Sequence, residues 1–221
     1  MPEKILLSWS GGKDSAMARY ELSRDPAHAV SALLTTVTED YDRISMHGVR
    51  RVLLEQQAEA LGLRLKQVNI PKQATNEIYE SRMRATLEQV IQEGIRTVAF
   101  GDIFLEDLRK YREGNLALIG MTGIFPIWKR DSAELARTFI ELGFKAVVVC
   151  VDSKVLDPAF AGRVIDQDFL AQLPPNIDPC GENGEFHSFV CDGPLFTRPV
   201  SCTIGEVVAR DSFYFCDLVP T

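Results

Sequence analysis

The sequence predicts an α/β protein: a five-stranded parallel sheet interleaved with helices, followed by a smaller α+β unit. Three observations carry this prediction. Up to about residue 130, apolar strand-like runs alternate with stretches of helical period, an order that implies crossover connections and a parallel sheet. The hexamer Ser10-Gly11-Gly12-Lys13-Asp14-Ser15 lies between the first strand and the first helix. From Asp131 the pattern changes and the last forty residues are strand-and-turn material, which places a boundary near residue 130 and divides 1–130 from 131–221.

The elements follow in order. Lys4-Ile5-Leu6-Leu7-Ser8-Trp9 is the first strand, and a helix spans 14–24. Residues 28–37 form a second, buried strand with Thr35 and Thr36 at its carboxyl end, where open α/β sheets bind ligands. After a polar loop, Met46-His47-Gly48-Val49 leads into a helix through about Leu61, which Gly62 ends. A third strand covers 64–70, and Pro71 stops it. Ile78, Met83, Leu87, Val90 and Ile91 keep helical spacing over 76–93. Residues 97–102 make a fourth strand ending in Gly101-Asp102, 104–119 a helix and 124–128 a short fifth strand. In the second unit a helix over 131–142 precedes a buried strand over 145–152. A helix over 157–173 follows, broken by Pro174-Pro175, and then strands over 185–190, 200–204 and 207–215.

The hexamer suits a polyphosphate. A Gly-containing turn between strand and helix presents unpaired backbone N–H groups to an anion. Gly11 and Gly12 permit backbone angles and approaches that a side chain forbids. Ser10 and Ser15 add hydroxyls, and Lys13 a positive charge. Asp14 fits two roles, a helix cap or a ligand of the metal that travels with phosphates. The chain has no GxxxxGK(S/T) loop. SGGKDS resembles instead the SGGxDS motif of the PP-loop ATP pyrophosphatases, which cut ATP between its α- and β-phosphates.

A second cluster, Asp178-Pro179-Cys180-Gly181-Glu182-Asn183-Gly184-Glu185-Phe186-His187-Ser188, crowds carboxylates, an amide and a histidine around two glycines. On spacing alone it reads as a solvated acidic turn. SGGKDS and GENGEF together, however, resemble the diphthine–ammonia ligase family, including its shorter prokaryotic relatives. Met46-His47-Gly48-Val49, Gly101-Asp102, Phe125-Pro126-Ile127-Trp128, Leu156-Asp157-Pro158 and Asp192-Gly193-Pro194 extend the resemblance over nearly the whole chain.

That resemblance implies a nucleotide domain and a C-terminal domain facing each other across a cleft, and ATP-dependent amidation. A substrate carboxylate is adenylated, pyrophosphate leaves, and ammonia displaces AMP. Ser10, Gly11, Gly12, Lys13, Asp14 and Ser15 would grip the phosphates, with Lys13 catalytic and Asp14 the expected ligand of magnesium (Mg2+). Thr35, Thr36 and Gly101 would hold the nucleoside end of the nucleotide, and Asp102 would touch ribose, metal or the next helix's N-terminus. Glu182 and Glu185 would handle ammonium, and Asn183 and His187 would join them at the substrate. The family's acceptor is diphthine on elongation factor 2, which applies here if the host makes diphthamide. His47 reads as structural, and Arg109 and Arg112 as a solvated helix face, with holding phosphates or an acidic partner as their second reading.

Composition bounds the alternatives. The net charge of −7 argues against a sequence-blind nucleic-acid partner. No apolar run approaches the ~20 residues of a membrane span, so no membrane partner is expected. Five cysteines without a CxxC fit a reducing cytoplasm and no zinc site. An RNA-modifying PP-loop enzyme and an ATP sensor without turnover are the competing functions, and a homodimer is one assembly to test.

Overall fold

Alternating side chains in the first strand set the layers of the molecule. In the computed structural model, which covers residues 1–221, β1 (Glu3–Ser8) points Ile5 and Leu7 into one core and Leu6 into another. All three are fully buried. A strand buried on both faces needs cover on both. Helices α1 (Lys13–Arg24) and α2 (Arg51–Ala60) supply it on the Ile5 side; α3 (Asn76–Gln92) and α4 (Glu106–Ala117) supply it on the Leu6 side.

Five parallel strands lie in the order β4 (Arg64–Ile70), β2 (His28–Thr38), β1, β5 (Thr97–Ala99), β6 (Thr122–Ile124). A two-residue β3 (Arg43–Ile44) pairs antiparallel with the end of β2. The chain steps outward from β1 to β2 and β4, then returns on the other side through β5. The order therefore reverses between β1 and β5, and the crevice beyond their carboxyl ends is where such sheets take ligands. SGGKDS leaves β1 and Gly101-Asp102 follows β5, so both flank that crevice.

The second sheet is antiparallel, in the order β8 (Phe186–Asp192), β7 (Lys145–Asp152), β10 (Phe213–Pro220), β9 (Cys202–Arg210). Helices α5 (Ser132–Glu141) and α6 (Gln167–Gln172) accompany it. One cluster of 39 buried residues runs unbroken from Ile5 and Leu7 through Phe139 and Val149 to Phe189 and Leu218, so the two sheets share a core.

Local departures from the sequence-based expectation have identifiable causes. Residues 157–173 are not one helix. A 3₁₀ turn at Pro158–Phe160 gives way to Gly162 at φ +84°, and the chain then hydrogen-bonds to β7 before α6 starts. Arg163 O accepts from Val148 N and Ala146 O accepts from Ile165 N, and those bonds compete with a helix. The last hairpin turns at Asp211 (φ +54°), not at Gly205, which stays extended within β9. The fifth strand ends at Ile124, and Phe125–Trp128 is a turn, because Pro126 has no N–H for the ladder.

Strand β8 docks on the serine-glycine turn. Val190 N donates to Gly11 O at 2.8 Å, and Lys13 N to Ser188 Oγ at 3.1 Å. Gln57 of α2, fully buried, knits the junction: its Nε2 donates to Gly11 O (3.0 Å) and Val190 O (2.6 Å), and its Oε1 accepts from Trp9 Nε1 (2.8 Å). The loop over 38–50 is tied to the last strand. Arg43 and Arg50 both bond Asp217 of β10, and Gly48 (φ +69°) lies so close to Phe215 that a Cβ would meet its ring at 2.7 Å.

Gln57→Leu fills the same volume while stranding the Trp9 indole N–H and the Val190 carbonyl. At roughly 1–3 kcal/mol per buried unsatisfied group, it should cost about 3 kcal/mol and lower Tm by about 6–12 °C. A thermal melt with a change under about 2 °C would show that this bridge holds little.

Candidate active site

The site begins with the N-terminus of α1. Gly12 is the N-cap and has no side chain to cap the helix. Ser188 from the other sheet takes the Lys13 amide, while the Asp14 and Ser15 amides donate to no protein group. These open donors and the helix dipole point at an anion. Ser10 Oγ accepts from Gly12 N at 3.3 Å and lies 3.4 Å from Ser15 Oγ. A side chain at Gly12 would put a Cβ 2.9 Å from Ser188 O, and one at Gly101 would put it 2.8 Å from Asp14 C and O. Both glycines are therefore required by close packing.

Lys13 is buried (2 % exposed). Its Nζ donates to Asp14 Oδ1 at 2.6 Å and to the Cys180 carbonyl, and lies 5.7 Å from the centre of the Phe186 ring. Burial works against the ammonium, but the Asp14 carboxylate overrides it and holds Lys13 above its ordinary pKa. A fixed cation thus joins the turn to the late loop.

Two cavities open here. The polar one, about 220 Å³, is walled by Ser10, Gly12, Lys13, Asp14, Ser15, Gly101, Asp102, Glu182 and His187, among others. The second, about 390 Å³ and mainly apolar, is lined by Thr35, Thr36, Met46, Tyr79, Met83, Tyr111 and Leu116, among others. Most sequence-predicted residues therefore converge. Three do not. Gly11 (φ +80°) sits behind the turn, where a Cβ would meet Gln57 Oε1 at 2.8 Å. Glu185 turns into its own loop: its carboxylate accepts from Asp178 N (3.1 Å), Asn183 N (3.0 Å) and Asn183 Nδ2 (2.9 Å). Asn183 is held by the same bonds, and neither residue lines either cavity.

Glu182 instead faces the cavity. Its Oε1 accepts from Ile103 N (2.7 Å) and Phe104 N (3.3 Å), which follow the Gly-Asp pair. Burial pushes its pKa up to about 7, those amides oppose the shift, and the Asp14 and Asp102 carboxylates add to it.

The histidines are not isolated. His47 and His187 stack with ring centres 4.6 Å apart and line both cavities. His47 Nδ1 lies 3.3 Å from Ser188 O, which can only accept, so that nitrogen carries the proton. Burial lowers the two pKa values to about 3 and about 4, so both rings are neutral at pH 7. Arg112 is not a solvated residue either: it lies over Phe100 and pairs with Asp102. Arg109 rests on Phe125 and Trp128 and pairs with Glu113. Sequence reasoning missed Ser188 and gave His47 and Arg112 the wrong surroundings. The alternation of β8 could have placed Ser188 on the buried face with Phe186 and Val190. The Cys180 thiol is pushed up to about 12 by burial and donates to Ser132 O, so it is a packing group.

No three His, Cys, Asp or Glu side chains form a ready metal cage. Magnesium carried by phosphates needs only one or two carboxylates. Asp14 and Asp102 supply them, and Oδ2 of Asp102 is buried without a hydrogen bond. The donor set fits the ion. No helix is long and apolar enough to cross a membrane.

Strand, serine-glycine turn and helix at the switch point, opening on a polar cavity, define a PP-loop protein. Family models for the diphthamide synthase N-terminal and C-terminal domains match residues 3–122 and 131–217. The chain belongs to the diphthamide synthase family, a family of ATP-using ligases. A human relative named diphthine–ammonia ligase is 25% identical over 231 residues, 93% of this chain and 85% of that protein. One from Schizosaccharomyces pombe with the same name is 26% identical; the match takes in 97% of this chain but only 38% of the yeast protein. A solved structure, the U34-tRNA thiolase NcsA from Methanococcus maripaludis with its 4Fe-4S cluster, aligns at a TM-score of 0.38 and 21% identity, covering 64% of this chain and 57% of that one. It is too distant to carry a residue or ligand across.

The raised pKa of Glu182 has a stability signature. An unfolded glutamate titrates near ~4.3, so between there and about 7 the folded state holds the extra proton. Ionising Glu182 in place therefore lowers stability as pH rises through that window. The Tm of Glu182→Gln relative to wild type should climb across it, while the histidines, shifted the other way in both proteins, cancel in the difference. A Tm difference that does not vary with pH would show an unshifted carboxyl.

Proposed function

We propose that this chain is an ATP-dependent, amide-forming ligase that adenylates an acceptor carboxylate and transfers ammonia to it. One observation carries the reading: the serine-glycine turn and the acidic GENGEF loop wall a single cavity, joined by the Lys13 ammonium on the Cys180 carbonyl. In this scheme residues 1–130 bind nucleotide and 131–221 bring the acceptor and the nitrogen donor. The adenosine of ATP takes the apolar cavity at Thr35 and Thr36, and its phosphates take the polar one.

An acceptor carboxylate oxygen bonds to the α-phosphorus, and the bond to the bridging oxygen breaks, so pyrophosphate leaves with the electron pair. Lys13, the open amides of α1 and the hydroxyls of Ser10 and Ser15 receive that charge. Fixed donors of this kind lower a barrier by roughly 3–4 kcal/mol each. Asp14 and Asp102 would hold the accompanying magnesium, whose charge offsets that of the phosphates. Ammonium is drawn to the Glu182 carboxylate. Glu182, with a pKa near neutrality, accepts a proton from the nitrogen. Ammonia then adds to the acyl carbon, the bond from that carbon to the bridging oxygen breaks, AMP departs with the oxygen that the acceptor carboxylate contributed, and the amide nitrogen sheds its extra proton to solvent. Glu185 is a positioning residue, fixing the backbone that aims Glu182. By similarity to the curated relatives, the acceptor class is diphthine on a translation factor, in a host that makes it.

Incubation with ATP, ammonium and acceptor should release AMP and pyrophosphate; ADP and phosphate would refute the α-phosphorus chemistry. Glu182→Gln should cut amide formation by about 10²–10⁴-fold while ATP–pyrophosphate exchange persists. Loss of both half-reactions would remove Glu182 from the ammonia step.

A further inference from the structure

The two cavities meet along a seam: Ser8, Ser10, His47, Phe100, Arg112 and His187 line both. With a nucleoside in one cavity and pyrophosphate in the other, the phosphorus that links them lies on that seam. This step rests on the nucleotide assignment proposed above. Of the six shared residues, one carries charge. His47 and His187 are buried and neutral at pH 7. Lys13, the other cation in the polar cavity, does not reach the apolar one, and its ammonium is held by Asp14 and Cys180.

Arg112 projects from α4 with its guanidinium carbon 4.5 Å from the centre of the Phe100 ring. Nη2 donates to Asp102 Oδ1 at 3.2 Å. Nε lies 2.8 Å from Asp102 Oδ2, close enough for an ion pair but too far out of line for a hydrogen bond, and it is buried without a partner. A guanidinium has five N–H donors in a planar fork. Most of them are unclaimed here, while the ring beneath and the carboxylate beside it fix the plane of the fork. That geometry suits a phosphoryl group, which the fork can engage through two oxygens.

We infer that Arg112 is the residue that holds the α-phosphoryl group of ATP, and the same phosphate in the acyl-adenylate and in AMP, with Asp102 and Phe100 positioning it. Lys13 and the α1 amides then serve the part that leaves. As pyrophosphate departs, the adenylate stays anchored on a different cation.

The two products separate the roles, because AMP keeps the α-phosphate and pyrophosphate lacks it. Wild type, Arg112→Gln, Arg112→Lys, Lys13→Gln and Arg109→Gln are titrated calorimetrically with AMP and, separately, with pyrophosphate. Arg112→Gln should weaken AMP at least about tenfold, the loss of a charge-assisted contact, and pyrophosphate less than about twofold. Lys13→Gln should show the reverse bias. Arg112→Lys, which keeps the charge and loses the fork, should fall between wild type and Arg112→Gln for AMP. Arg109→Gln should match wild type. Equal loss of both ligands in Arg112→Gln, or unchanged AMP affinity, overturns the inference. If Arg112→Gln does not fold with Asp102 left unpaired, Arg112→Lys decides by the same criterion. A wild type that binds neither ligand overturns the nucleotide reading, and this inference with it. A wild type that binds both, beside an Arg112→Gln with no AMP bias, overturns this inference alone.

Discussion

The site depends on a backbone contact between segments far apart in the chain: strand β8 lies against the serine-glycine turn, with Val190 donating to Gly11 O and Ser188 accepting from Lys13 N. Two adjacent glycines lose more conformational freedom on ordering than other residues do. A turn built from them has little reason to hold one shape unaided. Here each face of the turn is matched. Gly11 is pinned from behind by Gln57, Gly12 is pressed against the Ser188 carbonyl, and Gly101 closes on Asp14 from the neighbouring strand. The helix amides therefore point at the cavity before any ligand arrives, so ordering them does not have to come out of binding energy.

The same docking sets the electrostatics. A buried lysine without a partner would lose its charge to desolvation. Asp14 and the Cys180 carbonyl keep it charged, where the turn and the late loop meet at the polar cavity. Around it, burial raises the proton affinity of Glu182, and the Asp14 and Asp102 carboxylates add to that. An acidic wall opposite a cationic turn suits the proposed reaction, whose two reactants are of opposite sign.

Much of the nucleotide half was legible in the sequence, because its signals are local. Buried parallel strands read as apolar runs, Gly62 and Gly94 mark helix ends, and SGGKDS states its chemistry in six letters. The second half was harder for physical reasons. Residues 157–173 have helical composition, but a glycine in the left-handed region and hydrogen bonds to β7 override it. The break expected between the strands over 200–204 and 207–215 does not occur, since Asp211 does the turning. Within GENGEF, spacing cannot tell a carboxylate that faces the cavity from one that stitches its own loop. Only the bonds of Glu185 to Asn183 and Asp178 separate it from Glu182. Arg112 and Arg109 sit three apart on one helix and read alike, yet one reaches Asp102 and the other Trp128.

The pairing of β8 with the first turn also has a consequence for synthesis. The ribosome delivers Gly11 and Gly12 long before their partners at 188 and 190, and Asp217, which secures the loop bearing His47, is later still. Throughout most of translation the nascent polypeptide carries the whole serine-glycine turn braced only from the side of Gln57 and Gly101. If the turn binds nucleotide as proposed, that affinity should therefore arrive late and abruptly, once strand β8 has docked.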